Sequence, residues 1–589
     1  MKQFLKMTFA SIIGVVVALA ILIAIGAGAV AGLVAADEAS SYVPKEKTIL
    51  KLSLSGTVGE QIAEDNPLAM LLGGDEPLSL SLTDIKKAIQ TAKEDAHIEG
   101  IYLSSGLLSA GSASLLEIRQ ALADFKQSGK FIVAYADNFS QGNYYVCSVA
   151  DEVYMNPQGV LNLRGLASTT PFYKGLLRKI GVEMMIFKVG TYKGAVEPFM
   201  LDHLSEANRE QINSYLSSIW GIFRAGISES RGVKPELIDQ FANEGMAYQD
   251  AEVAVKMGLI DALRYESEVD SCLKAKVGLG DEKLRFANLK QAVSLQKAEK
   301  RSDNQIAILY AEGEIVPEAA NQPFSSEACI TYRLAKELIK LKEDKAVKAV
   351  VLRVNSPGGS AYISDQIWKE VKALKAVKPI VVSMGDVAAS GGYYISCAAN
   401  QILAEPNTLT GSIGIFGMFP NMTGLCEKIG LTTDGVKTHT FADLGDPTRP
   451  MTEGEKALIQ GTVERGYHTF LSRCAEGRGM SEEAIDAIGQ GRVWTGEQAL
   501  DRGLVDRLGN LEDAVAVAAE LADVTDYEVK NAAPAKSWLD KLLNEPIGNA
   551  TTMLTKQLLG EDYTYYNTLR QVRNSQGVLA RMPFDLSPQ

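Results

Sequence analysis

The feature that most constrains the fold of this chain is an internal duplication with a spacing of about 249 residues. Several short motifs recur in the same order in both copies: Tyr144-Tyr145 with Tyr393-Tyr394, Gly165 with Gly414, Lys179-Ile180-Gly181 with Lys428-Ile429-Gly430, and Ala254 to Asp261 with Ala499 to Asp506. A single long spacing indicates one duplicated domain and not a solenoid of short repeats. Two similar units in tandem are therefore predicted.

Each unit alternates apolar runs with helical patterns. In the second copy, the run KAVVLRV is typical of a buried strand, ISDQIWKEVKALKA has the apolar spacing of a helix, and PIVVSM predicts the next strand. Such alternation predicts an α/β fold with a largely parallel sheet. We predict domains at 47–295 and 303–530, joined by a charged stretch from about Asp270 to Asp303. Residues 531–589 form a C-terminal extension without recognisable chemistry.

The N-terminus predicts a membrane anchor within residues 1–36. Met7 to Ala36 is an uncharged, mostly apolar run of about 30 residues, and about 20 are enough to span a bilayer as a helix. Lys2 and Lys6 precede the run, so the positive-inside rule leaves the N-terminus in the cytoplasm and the remaining chain outside. The expected location is a single pass through the inner (cytoplasmic) membrane. A cleaved signal peptide is the alternative, since Ala29-Val30-Ala31 fits a cleavage pattern.

Composition excludes several classes of function. The chain carries 59 Lys and Arg against 72 Asp and Glu, a net charge of −13, which disfavours nucleic acid as a partner. Six cysteines without a C-x-x-C pair and four histidines without an H-E-x-x-H motif make a zinc site a poor candidate. We expect no metal and no cofactor.

The two copies differ where reactive groups occur. Asn355 to Ser360 reads NSPGGS after a predicted strand, and paired glycines can leave N–H groups free to bind an oxyanion. The corresponding LLSAG of the first copy, Leu107 to Gly111, lacks adjacent glycines. An ordinary turn remains the alternative interpretation of Gly358-Gly359.

A serine follows at a predicted strand-to-helix corner. Ser390 lies in the motif AASGGYY, where the N-terminus of a helix favours developing negative charge. Its counterpart in the first copy is Gln141, which cannot become an alkoxide nucleophile. The alternative role for Ser390 is a helix N-cap, a common use of serine.

A serine nucleophile needs a base. His439 is the only histidine in the corresponding region, and no histidine lies in a recognisable motif, so a histidine triad is the weaker hypothesis. Lys193 in VGTYKGAVEP is the other candidate, and its counterpart in the second copy is Ala442. One copy thus has the lysine and the other the serine, which indicates one composite site, although a solvated surface lysine remains the alternative.

Together, VGTYKGAVEPF, LRVNSPGGSA, DVAASGGYYISCAA and TLTGSIGIFG closely resemble the signal peptide peptidase A family in its long, duplicated form, also called protease IV. The resemblance implies tandem Clp protease/crotonase-like domains and serine peptidase activity with a Ser/Lys dyad. It assigns the nucleophile to Ser390 and the general base to Lys193. Backbone N–H groups near Gly359 and Gly391 are implied as the oxyanion hole, and Ser412 as a partner of the lysine.

The resemblance also implies partners. Substrates are expected to be signal peptide remnants and other extended apolar peptides that bind by strand addition, with a small or apolar residue at the cleavage position. A homo-oligomer, by resemblance a tetramer, is predicted. Two other functions remain open: an acyl-CoA-handling enzyme of the crotonase type, and a catalytically inactive membrane scaffold.

Overall fold

The computed structural model describes residues 42–61, 79–295, 301–317 and 329–532, together with the backbone of the strand Gly577–Arg581. The predicted anchor at 1–36 lies outside the described residues, as does most of the predicted extension at 531–589. Among the described residues, no helix has the length and apolar character needed to cross a membrane.

The first half is built on a parallel sheet with the strand order β10-β1-β3-β4-β6-β9, in which β2 also pairs with β1. The strands of the first half, including three outside this sheet (β5, β7 and β8), are β1 Thr48–Gly59, β2 Ser79–Ser81, β3 Ile98–Ser109, β4 Phe131–Ala136, β5 Phe139–Ser140, β6 Glu152–Met155, β7 Leu161–Asn162, β8 Glu183–Lys188, β9 Ala262–Leu263 and β10 Arg285–Ala287. Its helices are α1 Leu82–Glu94, α2 Ser112–Lys126, α3 Gln141–Cys147, α4 Lys174–Ile180, α5 Glu197–Met200, α6 Glu206–Arg231, α7 Pro235–Asn243, α8 Glu252–Lys256, α9 Glu266–Val277 and α10 Leu289–Ser294.

The second half repeats this plan around a sheet of order β20-β18-β16-β14-β11-β22, in which β17 also pairs with β16 and β21 pairs with β17. Its strands are β11 Gln305–Glu312, β12 Glu314–Ile315, β13 Cys329–Ile330, β14 Val347–Ser356, β15 Gly358–Ser360, β16 Ile380–Ala389, β17 Gln401–Ala404, β18 Leu409–Gly411, β19 Phe416–Asn421, β20 Val493–Thr495, β21 Arg507–Leu508, β22 Glu528–Asn531 and β23 Gly577–Arg581. Its helices are α11 Arg333–Glu343, α12 Ala361–Lys375, α13 Gly391–Ser396, α14 Thr423–Ile429, α15 Glu453–Arg478, α16 Glu482–Ile488, α17 Gly496–Leu500 and α18 Leu511–Leu521.

The predicted α/β class is confirmed, and the physical reason is visible in the central strands. β14 is buried along almost its whole length because helices cover both faces of the sheet, which explains its unbroken apolar sequence. The helical pattern that follows it is α12, and PIVVSM forms the start of β16.

The predicted join needs a correction at its N-terminal side. Within Asp270 to Asp303, β10 pairs in parallel with β1, with Thr48 opposite Arg285. Apolar residues of α9, among them Leu273 and Val277, are buried against this sheet. This part of the stretch therefore belongs to the first half and is not a linker. The sequence pattern was misleading because charged surface residues alternate with these buried apolar positions.

A further sheet connects the halves, with the strand order β13-β12-β15-β23-β19-β8. β8 of the first half pairs antiparallel with β19 of the second, with Lys188 opposite Phe416 and Glu183 opposite Asn421. Lys193 follows shortly after β8 in the chain, so this pairing places the lysine beside the second half.

Candidate active site

Ser390 lies between the end of β16 and the first residue of α13. Its backbone has φ 55° and ψ −111°, a conformation that costs a non-glycine residue free energy. The N–H of Ser390 donates to the carbonyl of Gly411 at 2.8 Å, while its hydroxyl makes no cap hydrogen bond to the helix. The N-cap interpretation of this side chain is therefore wrong, and the hydroxyl is available to another group.

Lys193 is the group that the hydroxyl meets. Its Nζ lies 2.8 Å from Ser390 Oγ, 3.0 Å from the carbonyl oxygen of Ser412 and 3.1 Å from Ser412 Oγ. The surface-lysine interpretation is wrong, since Lys193 is 0% exposed. The structure thus brings together three of the residues that the sequence pointed to, and it takes them from both halves.

The surroundings of Lys193 change its protonation. Burial holds the pKa of its amine well below the ordinary value for lysine, because a buried ammonium loses its hydration. The three oxygens that contact Nζ belong to hydroxyls and a backbone carbonyl, and none belongs to a carboxylate. A neutral amine at this position can accept a proton from Ser390.

The backbone around Lys193 depends on close approach to the second half. A Cβ on Gly491 would lie 2.6 Å from the backbone nitrogen of Lys193, and a Cβ on Gly190 would lie 2.5 Å from the carbonyl oxygen of Gln490. The N–H of Tyr192 also donates to that carbonyl oxygen, at 2.8 Å. Glycine at positions 190 and 491 therefore lets the lysine segment pack directly on the chain that leads into β20.

Buried polar side chains that the sequence analysis did not single out hold this segment in position. The Gln211 amide donates to the carbonyl oxygen of Tyr192 at 2.9 Å and accepts from the N–H of Val493 at 3.1 Å, so it bridges the halves. Gln211 also donates to Asn208, which in turn donates to the buried carboxylate of Glu197 at 3.0 Å. The sequence signal for them is weak, because Gln211 and Asn208 read as ordinary polar positions of a long helix.

Gly359 and Gly391, the two residues predicted to contribute the oxyanion hole, lie in β15 and at the start of α13. Gly359 has φ 150°, and a Cβ there would lie 2.1 Å from the carbonyl oxygen of Ile315, so the position accepts only glycine. Gly391 is the first residue of α13, where N–H groups have no acceptor within the helix. The turn interpretation of Gly358-Gly359 is replaced by a short strand, β15.

The groove beside β15 contains a strand that the sequence analysis missed. The backbone of β23 runs antiparallel to both β15 and β19, with Ala580 opposite Gly359 and Leu579 opposite Phe416. β23 is five residues long and follows the preceding described residue, Ala532, by more than 40 positions. No pattern in the neighbouring sequence predicts that it pairs with β15 and β19. These two pairings define a groove between β15 and β19 that accepts an extended backbone beside Gly359.

The unreactive counterparts of the site residues form no second site. The Gln141 side chain accepts hydrogen bonds from the N–H groups of Arg164 and Gly165, a structural role. Leu163, the first-copy counterpart of Ser412, is apolar and fully buried. Ala442 is exposed. The histidine hypothesis also fails, because the ring of His439 is exposed and bonds to Thr438 at 2.9 Å.

Comparisons with known proteins agree with this arrangement. The family described as peptidase family S49 matches residues 124–280 and 372–525, once in each half, and a family described as Clp protease matches 297–409. Protease 4 of Salmonella typhi is 36% identical, over 86% of this chain and 84% of its own length. The chloroplastic serine protease SPPA of Arabidopsis thaliana is 32% identical, over 91% of this chain and 78% of its own.

The matches to a peptidase family in both halves and to relatives named Protease 4 show a serine peptidase with a Clp protease-like α/β fold. The chain belongs to peptidase family S49, in the duplicated form of signal peptide peptidase A. The family resemblance drawn from the motifs is confirmed, and the crotonase-type and scaffold alternatives are not supported.

Proposed function

We propose that the protein is a membrane-anchored endopeptidase that uses a Ser390/Lys193 dyad to degrade cleaved signal peptides and similar extended apolar peptides outside the cytoplasmic membrane. The observation that carries the proposal is the 2.8 Å contact between Lys193 Nζ and Ser390 Oγ in a fully buried setting. The predicted anchor supports the location. The substrate class is supported by relatives named Protease 4 and, in Enterococcus faecium, Putative signal peptide peptidase SppA.

The proposed reaction begins when Ser390 Oγ attacks the substrate carbonyl and Lys193 Nζ accepts the hydroxyl proton. The N–H groups of Gly359 and Gly391 stabilise the oxyanion, and the ammonium of Lys193 then returns the proton to the leaving amine. The resulting acyl-enzyme is hydrolysed by a water that Lys193 activates. Ser412 accepts from the amine through two oxygens and so keeps Nζ directed at Ser390.

Substrates would bind in the groove between β15 and β19. The backbone of β23 illustrates the geometry: an extended segment pairs antiparallel with both strands, with Ala580 opposite Gly359. Strand addition of this kind uses backbone hydrogen bonds, so it accepts many sequences and selects mainly at the side-chain pockets. A homotetramer is the assembly we propose for the anchored protein.

A serine-directed acylating probe tests the dyad. The full chain should be labelled at Ser390, located by peptide mass spectrometry, and Ser390→Ala should abolish both labelling and peptide hydrolysis. Ser481→Ala is a matched control, because Ser481 caps α16 through its side chain and lies outside the site. Labelling of Ser390→Ala equal to that of the parent protein would contradict the proposal.

Truncation tests the groove. A chain that ends at residue 576 lacks β23 and should hydrolyse a short apolar peptide several-fold faster, because the tethered strand no longer competes for the groove. A chain that ends at residue 581 retains β23 and is the matched control. Equal initial rates for the two truncated chains would show that β23 does not limit access.

A further inference from the structure

Arg492 contacts two residues that determine where the Lys193 amine lies. It occupies the short segment between α16 and β20, directly after Gly491, on which the backbone of Lys193 packs. Its backbone carbonyl oxygen accepts the N–H of Ser412 at 2.7 Å, and its side chain contacts Tyr192, the residue before Lys193. A single residue of the second half thus touches both the partner of the lysine and the segment that carries the lysine.

The Arg492 guanidinium lies against two aromatic rings, one from each half. Its central carbon is 4.6 Å from the ring centroid of Tyr192 and 4.3 Å from that of Trp494. The guanidinium also donates to the Tyr192 hydroxyl at 3.0 Å and to Glu210 at 2.8 Å, and that hydroxyl donates to Glu210 at 3.0 Å. A planar guanidinium can stack on a ring and form two directed hydrogen bonds at once. These contacts hold the Tyr192 side chain on the second half.

The backbone of Arg492 supports an unusual conformation of Ser412. Ser412 has φ 50°, a left-handed conformation that costs free energy in a residue with a side chain. It directly follows β18, which pairs antiparallel with β20 so that Gly411 lies opposite Val493, and the hydrogen bond from Ser412 to Arg492 continues this pairing. Both Ser412 oxygens that contact Lys193 Nζ depend on this conformation. A shift of Arg492 would therefore move the oxygens that direct the amine.

The two copies differ at this position as they do at the dyad. Counting back from the motifs AVKMGLID and ALDRGLVD aligns Arg492 with Ala247, while the 249-residue spacing aligns Tyr192 with Phe441. Ala247 is buried and cannot form the side-chain hydrogen bonds of an arginine, and Phe441 is 44% exposed. The arginine thus occurs in the copy that supplies the serine, and its tyrosine partner occurs in the copy that supplies the lysine. This distribution follows the composite site.

The exposure of the cluster argues against a role in stability alone. The side chain of Arg492 is 19% exposed and that of Glu210 is 55% exposed, and ion pairs in such surroundings contribute little to the free energy of unfolding. Catalysis is more sensitive to position, because a misplacement of about 1 Å can lower a rate about a hundredfold. The contacts of Arg492 therefore have a larger effect on the placement of the lysine than on the stability of the fold.

We propose that Arg492 is a positioning residue for the base: it holds Lys193 through Tyr192, holds Ser412 through its own carbonyl oxygen, and so keeps the amine directed at Ser390. This inference rests on the proposed Ser390/Lys193 dyad and adds the residue that aligns it. Loss of the Arg492 side chain releases Tyr192 but leaves the backbone contact to Ser412. Proton transfer to Lys193 is then slower and is not abolished.

Labelling kinetics of the full chain separate positioning from folding. In Arg492→Gln, the serine-directed acylating probe should react with Ser390 at least about tenfold more slowly than in the parent protein. The final extent of labelling should be equal, because the chain still folds and retains the nucleophile. In peptide hydrolysis, kcat should fall while KM stays unchanged. An unchanged rate constant would overturn the proposal, and so would a reduced final extent with an unchanged rate constant, which indicates a loss of folded protein.

Arg502→Gln is the matched control. The central carbon of the Arg502 guanidinium lies 3.7 Å from the ring centroid of the same Trp494, but this guanidinium donates to the carbonyl oxygen of Gln498 and not to Tyr192. Its labelling rate should equal that of the parent protein. Equal slowing by Arg502→Gln and Arg492→Gln would assign the effect to packing around Trp494 and would overturn the proposal.

A double-mutant cycle tests the route through Tyr192. Tyr192→Leu removes both the ring and the hydroxyl, so it should slow labelling by a factor similar to that of Arg492→Gln. Adding Arg492→Gln to Tyr192→Leu should slow labelling by less than about twofold more, because residues in contact do not contribute independently. Effects that multiply in full would show another route and overturn the proposal. A parent protein that is not labelled at Ser390 would instead reject the dyad, so the two failures are separate results.

Discussion

Two basic side chains, Lys193 and Arg353, are buried where the halves meet, and their surroundings are opposite in character. Lys193 is 0% exposed and its amine contacts only hydroxyl and carbonyl oxygens. Arg353 of β14 is 1% exposed, and its guanidinium contacts the carboxylates of Glu117 at 2.6 Å and Glu60 at 2.9 Å. Both carboxylates come from the first half, so Arg353 also joins the halves.

The difference in surroundings determines what each basic side chain can do. Burial alone acts on Lys193 and lowers the pKa of its amine. Burial also acts to lower the pKa of Arg353, but the charges of Glu117 and Glu60 outweigh it and raise that pKa above the usual range. A buried lysine without an acid beside it can be neutral and act as a base, whereas a buried arginine beside two acids stays charged and has a structural role. The same interface therefore contains a reactive group and a structural one.

The largest expected effect follows from Lys193→Met. Peptide hydrolysis should fall by about a thousandfold or more, because the serine loses its proton acceptor. The melting temperature should stay equal or rise, since a buried amine without an acid is replaced by an apolar side chain of similar length. Peptidase assays and thermal unfolding measure the two effects. Lys188→Met in β8 is the control, and substantial hydrolysis by Lys193→Met would reject the lysine as base.

Arg353→Met should give the reverse pattern in stability. Removal of the guanidinium takes away the cation beside Glu60 and leaves Lys86, at 2.6 Å, as the cation beside Glu117. Breaking a buried pair in this way costs about 3–5 kcal/mol. Thermal unfolding should show a large drop that Lys369→Met, on the exposed surface, does not produce. Adding Glu60→Gln and Glu117→Gln to Arg353→Met should recover much of the loss. An unchanged melting temperature for Arg353→Met alone would contradict the structural role of the cluster.

The smallest effect is a pH dependence from Glu60. Burial raises its pKa to about 7, despite the opposing charge of Arg353, while the unfolded value is near 4.5. The folded protein therefore retains a proton that the unfolded chain releases, and the stability contributed by this group is present below pH 4.5 and lost as the pH rises to about 7. Glu60→Gln should flatten the melting temperature across that window, relative to the parent protein. If the melting temperature of Glu60→Gln changes with pH as steeply as that of the parent protein, another group is responsible for the pH dependence.

Part of this site could be predicted from the sequence. Ser390 and Lys193 stand out because each has an unreactive counterpart, Gln141 and Ala442, in the other copy. The NSPGGS motif predicted Gly359 as a site residue, and the family resemblance predicted Ser412 as a partner of the lysine. A duplication makes such differences visible within a single chain.

Other features could not be predicted. Arg353 reads as a polar residue within the apolar run of β14, and nothing local indicates that Glu60 and Glu117 lie beside it. β23 has no detectable connection in sequence to the groove it enters. Both depend on pairings between residues hundreds of positions apart, or between a tail and a distant strand.

The order of residues alone determined that there are two α/β units and which of them carries each reactive group, because apolar periodicity and repeated motifs are local properties. Only the tertiary structure decided that the amine is buried, that no carboxylate of the described residues contacts it, and that it reaches the hydroxyl. Desolvation and distance depend on what the whole fold packs around an atom, and those neighbours come from both halves of the chain.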